Sequence, residues 1–337
     1  MKFTKIISLI LAVVCLAAAL VSCGGSDKDA SSVQSIASGE KLKIGIIQYM
    51  SHPSLDNCYE GVMSALNGSG LNFEVDFQTG SSASADTDCA NFAKNMVADN
   101  CDMIIAIATP AAKAAFAATA DTDIPVIFCA VSDPVAAGLV NSNEEPGDLC
   151  TGTSDVLDLE AQVNLIQAMQ PDAKTIGILY TSSEDNSITN LKNFKEVCDK
   201  RGLKVEATAV QSASDIPTAA DALASKVDCI NNFTDNNVVN NLSVVLSAAD
   251  KYGIPVYGSE EEQVKNGCLA SVSIDYIALG KVTGEMAIEA LNGADITKMA
   301  VKTITDATPI INSDVLAALS MTLPAEYEGA ATVKTNA

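Results

Sequence analysis

The chain has 337 residues, 42 of them acidic and 20 basic, for a formal net charge of −22. A surface that acidic repels phosphate backbones and anionic lipid head groups, which excludes nucleic acid as a partner. With one histidine, His52, and one arginine, Arg201, the chain offers little to a serine or cysteine triad and less to a metallohydrolase, so no catalytic residue, cofactor or metal is predicted.

The N-terminus opens on Met1-Lys2-Phe3-Thr4-Lys5, runs apolar over residues 6–21 and breaks at Ser22-Cys23-Gly24-Gly25. A basic start, an apolar run too short for a comfortable membrane span and small residues at the break predict a signal peptide over residues 1–22. Leu20-Val21-Ser22-Cys23 resembles the bacterial lipobox, which implies cleavage before Cys23 and acylation of its sulfur. The alternative is an ordinary signal peptide with an incidental cysteine. With the lipobox, the protein is extracytoplasmic and meets the membrane through a lipid anchor only. Residues 23–40 are rich in Ser, Gly, Asp and Ala; they cannot bury enough apolar surface to fold and read as a flexible tether.

From Lys41 onward, short apolar runs alternate with stretches of helical periodicity. Strands are predicted over residues 43–48, 72–78, 103–108 and 125–130, and again over 175–180, 204–209, 229–233 and 255–257. Helices fall between them, over 56–69, 86–99, 110–119, 158–169, 187–200, 216–224 and 237–251. Strand and helix in regular succession predict an α/β fold with parallel sheets covered on both faces. The chain also repeats itself. Lys43-Ile44-Gly45-Ile46-Ile47-Gln48 returns as Thr175-Ile176-Gly177-Ile178-Leu179-Tyr180, and Asp123-Ile124-Pro125-Val126 returns as Gly253-Ile254-Pro255-Val256.

Such an echo predicts two doubly wound lobes joined by a hinge, with a ligand cleft between them. The stretch 273–291 reads as a strand end and helix crossing back to the first lobe, and 301–323 as a last strand and helix. The N-terminal lobe is accordingly expected over 41–153 plus about 276–300, and the C-terminal lobe over 154–275 plus about 301–337. The eight cysteines after Cys23 form no C-x-x-C pair and sit mostly among apolar residues, as free buried thiols would.

In an open parallel sheet, ligands bind beyond the carboxyl ends of the strands. The near absence of arginine removes the usual fork for an anion, so an anionic group must meet hydroxyls and helix starts. Thr109-Pro110-Ala111-Ala112 suits this, with proline in the first turn. A cationic group would want a strand-end carboxylate, for which Asp133, Asp155, Asp235 and Asp275 are candidates, although each also suits a turn or cap. Gln48, Tyr49 and Tyr180 stand at corresponding ends of the repeated strand, where the tyrosines can stack on a flat ligand. Hydroxyls, a helix start and a carboxylate without arginine suit a zwitterion such as an amino acid. A sugar or nucleoside receptor of the same fold is the alternative, and an exported hydrolase a third reading.

Several segments together resemble the ABC-transporter substrate-binding proteins of the TrpX-like family, with the type I periplasmic-binding fold. They are His52-Pro53-Ser54-Leu55-Asp56, Ile107-Ala108-Thr109-Pro110-Ala111-Ala112, Val131-Ser132-Asp133-Pro134, Thr151-Gly152-Thr153-Ser154-Asp155, Asn186-Ser187, Thr234-Asp235-Asn236-Asn237 and Asp275-Tyr276 followed by Leu279-Gly280 and Thr283-Gly284. The resemblance runs over residues 41–324 in order. It implies a receptor that closes on a ligand, typically an aromatic amino acid such as tryptophan, and delivers it to an ABC permease with its ATPase subunits. It also implies that Thr109, Ser132, Asp133, Ser154, Asp155, Thr234, Asp235 and Asn236 surround the ligand. Two departures stand out: Ser132, where the family commonly has threonine, and Ile230-Asn231-Asn232-Phe233, which is more polar than the usual strand.

Overall fold

The computed structural model describes residues 41–304 and 306–336; the predicted signal peptide, Cys23 and the tether lie outside the described residues. The first lobe begins with β1 (Leu42–Gln48), α1 (Pro53–Gly68), β2 (Phe73–Thr79), α2 (Ala85–Ala98), β3 (Met103–Ile107), α3 (Thr109–Thr119), β4 (Val126–Cys129) and β5 (Cys150–Ser154). The second holds α4 (Leu159–Met169), β6 (Thr175–Thr181), α5 (Asp185–Lys200), β7 (Lys204–Val210), α6 (Ile216–Ala224), β8 (Cys229–Asn231), α7 (Asn236–Asn240), α8 (Leu242–Tyr252), β9 (Val256–Tyr257), α9 (Glu261–Lys265) and β10 (Ala270–Ser273). The chain then crosses back through α10 (Tyr276–Leu291) and β11 (Lys302–Thr303), and returns as β12 (Thr308–Asn312), α11 (Ser313–Ala318) and β13 (Ala331–Val333).

The first sheet has the order β11-β5-β4-β3-β1-β2, all neighbours parallel. Its central strands β1, β3 and β4 are buried almost throughout, which is why they read as unbroken apolar runs rather than alternating ones. The second sheet runs β7-β6-β8-β9, also parallel. Leu269 N–H donates to Val256 O at 2.7 Å, which sets β10 beside β9 and extends the lobe by β10-β12-β13.

Three points differ from the sequence expectation. The pair β10 and β12 is antiparallel, because β12 enters the second lobe after a crossing from the first and so comes in from the opposite end. And β11 belongs to the first sheet, so the final crossing lies after Thr303 rather than near residue 301. The predicted single helix over 237–251 is two helices: Asn241 ends α7 and precedes α8, its side chain donating to Asn237 O at 2.8 Å. All eight described cysteines are buried and free. Among the described residues no helix is long and apolar enough to cross a membrane.

Candidate ligand-binding site

The carboxyl ends of both sheets face one narrow cavity between the lobes. The first lobe contributes His52, Ser54 and Leu55 from the entry to α1, Ala108 and Thr109 after β3, Ala130 and Ser132 after β4, and Asp155 after β5. The second contributes Asn186, Thr234, Asn236, Val239, Glu260 and Gln263, and Tyr276 closes the wall from the start of α10. No lysine or arginine lines it.

Its charged groups are two carboxylates. Asp155 is buried and accepts from Ser132 Oγ at 2.9 Å and from Tyr276 Oη at 2.8 Å. Burial outweighs those two donors and pushes its carboxyl up to about 6. Glu260 caps α9 by accepting from the backbone N–H of Glu262 and Gln263, and burial pushes it up to about 7. Thr109 starts α3 with Pro110 in the first turn, and its Oγ1 is buried without a protein partner, as are Thr234 Oγ1 and Asn186 Oδ1. Unpaired buried polar atoms are rare in a folded chain, and here five, with His52 Nδ1 and Ser54 Oγ, belong to residues that line one cavity.

The backbone is also held unusually at this wall. Ala108 has φ 81° and Ala130 has φ 56°, values that cost a residue with a Cβ of the order of 1 kcal/mol or more. They follow β3 and β4, where a tight turn brings the helix start and the Ser132 loop to the cavity.

Of the residues expected from the sequence, Thr109, Ser132, Asp155, Thr234 and Asn236 line the cavity. The other seven are held elsewhere. Gln48 donates to Met50 O and to Asp56 Oδ1 at 2.6 Å, fixing the turn into α1. Tyr49 donates to Asp86 Oδ1 at 3.0 Å and faces a second, more open groove. Ser154 donates to Ser132 O beneath the cavity, and Asp133 accepts from Ala136 N–H in its own loop. Tyr180 is partly buried and packs against the second-lobe core. Asp275 caps α10 through Ile277 and Ala278 N–H. Asp235, the leading expectation for an ammonium partner, is fully buried and accepts from Thr181 N–H and Oγ1, Ser187 Oγ and Val238 N–H, which occupies both its oxygens within the second lobe.

The chain matches the family model for ABC transporter substrate-binding proteins over residues 43–333. It belongs to that family. It is 38% identical over 326 residues to the tyrosine-binding protein of Clostridioides difficile (strain R20291), covering 95% of this chain and 93% of that one. A crystal structure of an ABC domain in complex with L-Trp from Streptococcus pneumoniae is 37% identical and superposes with a TM-score of 0.84, over 87% of this chain and 100% of that one. A ligand-free, open substrate-binding protein with adhesive properties from Clostridium difficile is 39% identical, over 88% of this chain and 100% of that one, with a TM-score of 0.66. The fold is the type I periplasmic-binding fold, and the protein binds a solute rather than turning one over.

In this substrate-binding protein the polar strand Asn231-Asn232 serves the lobe interior. Gln162 donates to Asn231 Oδ1 at 2.8 Å and to Gly258 O, and accepts from Val272 N–H, tying β8, β9 and β10 together. Asn232 donates to Gln263 Oε1 at 3.0 Å, which turns Gln263 toward its place in the wall. His52, Ser54, Leu55, Asn186, Val239, Glu260, Gln263 and Tyr276 were outside the twelve expected site residues. Glu260 directly follows the strand-end pair Gly258-Ser259, and His52 precedes the proline that opens α1, so position next to a strand end or a helix start was the available signal.

Proposed function

We propose that this protein is the lipid-anchored, extracytoplasmic receptor of an ABC importer, closing on the zwitterion of an aromatic amino acid and passing it to a permease. The observation that carries the reading is the charge pattern of the cavity: two buried carboxylates, no lysine or arginine, and a helix start with an unpartnered hydroxyl. The ligand ammonium is met by Asp155 and Glu260. The ligand carboxylate lies at the start of α3 with Thr109 Oγ1, where the helix dipole favours an anion. Leu55, Ala108, Ala130, Val239 and the Tyr276 ring supply the apolar surface for the side chain.

Closure is supported by contacts across the cleft. Lys113 on α3 pairs with Asp185 on α5, His52 meets Asn236 at 3.3 Å, and Asn57 on α1 donates to Glu262 at 3.4 Å. The better superposition on the L-Trp complex than on the open, ligand-free protein, at nearly equal identity, agrees with this arrangement. Such pairs form only when the lobes meet, so a ligand that bridges the lobes shifts the balance toward them.

A thermal-shift screen of the purified protein tests the reading. Tyrosine, tryptophan and phenylalanine are expected to raise the melting temperature, since a ligand at 100 times its Kd stabilises by about 2.7 kcal/mol. Stabilisation by sugars and not by amino acids would replace the amino-acid reading with the alternative receptor. The anchor is tested separately: labelled palmitate should enter the expressed protein and be absent from Cys23→Ser.

A further inference from the structure

His52 is the only histidine in the chain and sits at the entry to α1, in the cavity wall and 8% exposed. Its Nε2 lies 3.3 Å from Asn236 Oδ1 on the opposite lobe, while its Nδ1 is buried and has no partner in the protein. Which nitrogen carries the proton follows from the residue behind Asn236. Glu184 is 1% exposed, and its Oε2 receives Asn236 N–H at 3.1 Å, Asn236 Nδ2 at 2.6 Å and Asn186 Nδ2 at 3.2 Å, while Oε1 receives Asn237 N–H at 3.1 Å. Two of these donors are backbone N–H groups, one on each oxygen, which can only donate and so fix Glu184 as an acceptor; the Asn236 amide accordingly turns its NH2 toward Glu184 and its oxygen toward His52. An amide oxygen can only accept, and the imidazole must therefore donate from Nε2. The other ring nitrogen is left with a lone pair.

We propose that Glu184, acting through Asn236, fixes His52 as the Nε2–H tautomer, and that His52 Nδ1 accepts a hydrogen bond from the neutral donor at the tip of the ligand side chain, a phenol O–H or an indole N–H. This rests on the amino-acid reading of the cavity and adds which part of the ligand is read, and by what. Charge decides the assignment. A neutral imidazole competes poorly for an ammonium against Asp155 and Glu260 in the same wall, whereas a neutral donor needs no counter-charge. Burial holds the His52 ring below its ordinary pKa, against the smaller opposing pull of Asn236 and Asp56, which keeps it neutral for this role. A buried acceptor left unpaired is what makes such a site discriminate: a ligand lacking the donor strands it. Glu184 touches no ligand in this scheme and is a positioning residue.

Calorimetric affinities for tyrosine, tryptophan and phenylalanine test the proposal. The unsubstituted protein should bind tyrosine or tryptophan about tenfold or more tighter than phenylalanine. His52→Leu should bring that ratio close to one, and Glu184→Gln should lower it with the imidazole still present. A lost preference for tyrosine alone identifies the phenol as the donor, and one for tryptophan alone the indole. If His52→Leu weakens all three ligands in parallel with the ratio unchanged, the ring reads the backbone of the ligand or merely packs, and the proposal falls. A second measurement needs no substitution, because the chain has a single imidazole. Its ¹⁵N shifts should report a protonated Nε2 and a bare Nδ1 in the free protein, with Nδ1 moving when tyrosine or tryptophan binds and not when phenylalanine binds. A protonated Nδ1 in the free protein overturns the relay through Glu184 whatever the ligand. If no amino acid binds the unsubstituted protein, the reading of the cavity fails first, and the ligand half of the proposal fails with it.

Discussion

Two aspartates of the same sequence type meet opposite fates. Asp155 lies just past β5 of the first sheet and Asp235 just past β8 of the second, each directly follows a hydroxyl residue, and both are buried. Asp155 takes two hydroxyl donors and stands in the cavity wall, whereas Asp235 is consumed by two backbone N–H groups and two hydroxyls of its own lobe. Asp235→Asn should therefore destabilise the fold by roughly 3 kcal/mol, because an amide NH2 would face donors that need an acceptor. Asp155→Asn should cost ligand affinity by about 1.5–3 kcal/mol, roughly 10- to 150-fold, with little loss of melting temperature, since it also removes a buried charge. Chemical denaturation and calorimetry on the two variants check this; an Asp235→Asn that folds normally and loses binding would reverse the roles. The sequence marks both as strand-end carboxylates and goes no further. Which one is spent inside its lobe depends on Thr181 and Ser187, more than 45 positions away, and no local pattern carries that.

At the scale of elements, the strands and helices of both lobes were legible because buried parallel strands and amphipathic helices have distinct periods. The short helix α9 was not, and α7 ran into α8 in the pattern, since five residues carry too little periodicity and the stability of these helices comes from capping by Asp235 and Glu260. The packing of α10 on α1 is the element contact that matters most for the site, because α1 begins beside His52, Ser54 and Leu55 and α10 begins with Tyr276. The two helices approach so closely that a Cβ on Gly280 would stand 2.1 Å from Cys58 O, and one on Gly61 would stand 2.1 Å from Ile277 O. No rotamer relieves a clash with backbone, so Gly280→Ala must push the helices apart. The expected cost is about 1–3 kcal/mol of stability, with a loss of ligand affinity as well because Tyr276 moves with its helix. Melting temperature and ligand affinity measured together decide it. Lost stability with unchanged affinity would show that the first turn of α10 is held independently of its packing on α1.

The whole molecule carries a charge problem that ligand binding relieves. Asp155, Glu260, Glu184 and Asp235 are all held above the ordinary carboxyl pKa, in each case first by burial. A carboxyl that is less acidic in the folded chain binds more proton there than in the unfolded chain. Unfolding then releases protons, and stability falls as pH rises through the interval between the unfolded and folded values. For Asp155 and Glu260 that interval runs from about 4, the ordinary carboxyl value, to about 6 and about 7. Each contributes a loss of roughly 3 kcal/mol across it. The ligand-free protein should accordingly melt at a higher temperature at pH 5 than at pH 7.5. An ammonium in the cavity needs the charged carboxylates, so affinity should move the other way, and the ligand-induced rise in melting temperature should be larger at pH 7.5 than at pH 5. Glu184 and Asp235 contribute to the first slope and not to the second, because their donors lie within the second lobe. The double variant Asp155→Asn with Glu260→Gln should therefore flatten the pH dependence of the ligand effect while leaving part of the ligand-free slope in place. Melting curves at pH 5, 6 and 7.5, with and without tyrosine, separate the two, and a ligand effect independent of pH in the unsubstituted protein would remove the carboxylates as the ammonium's partners.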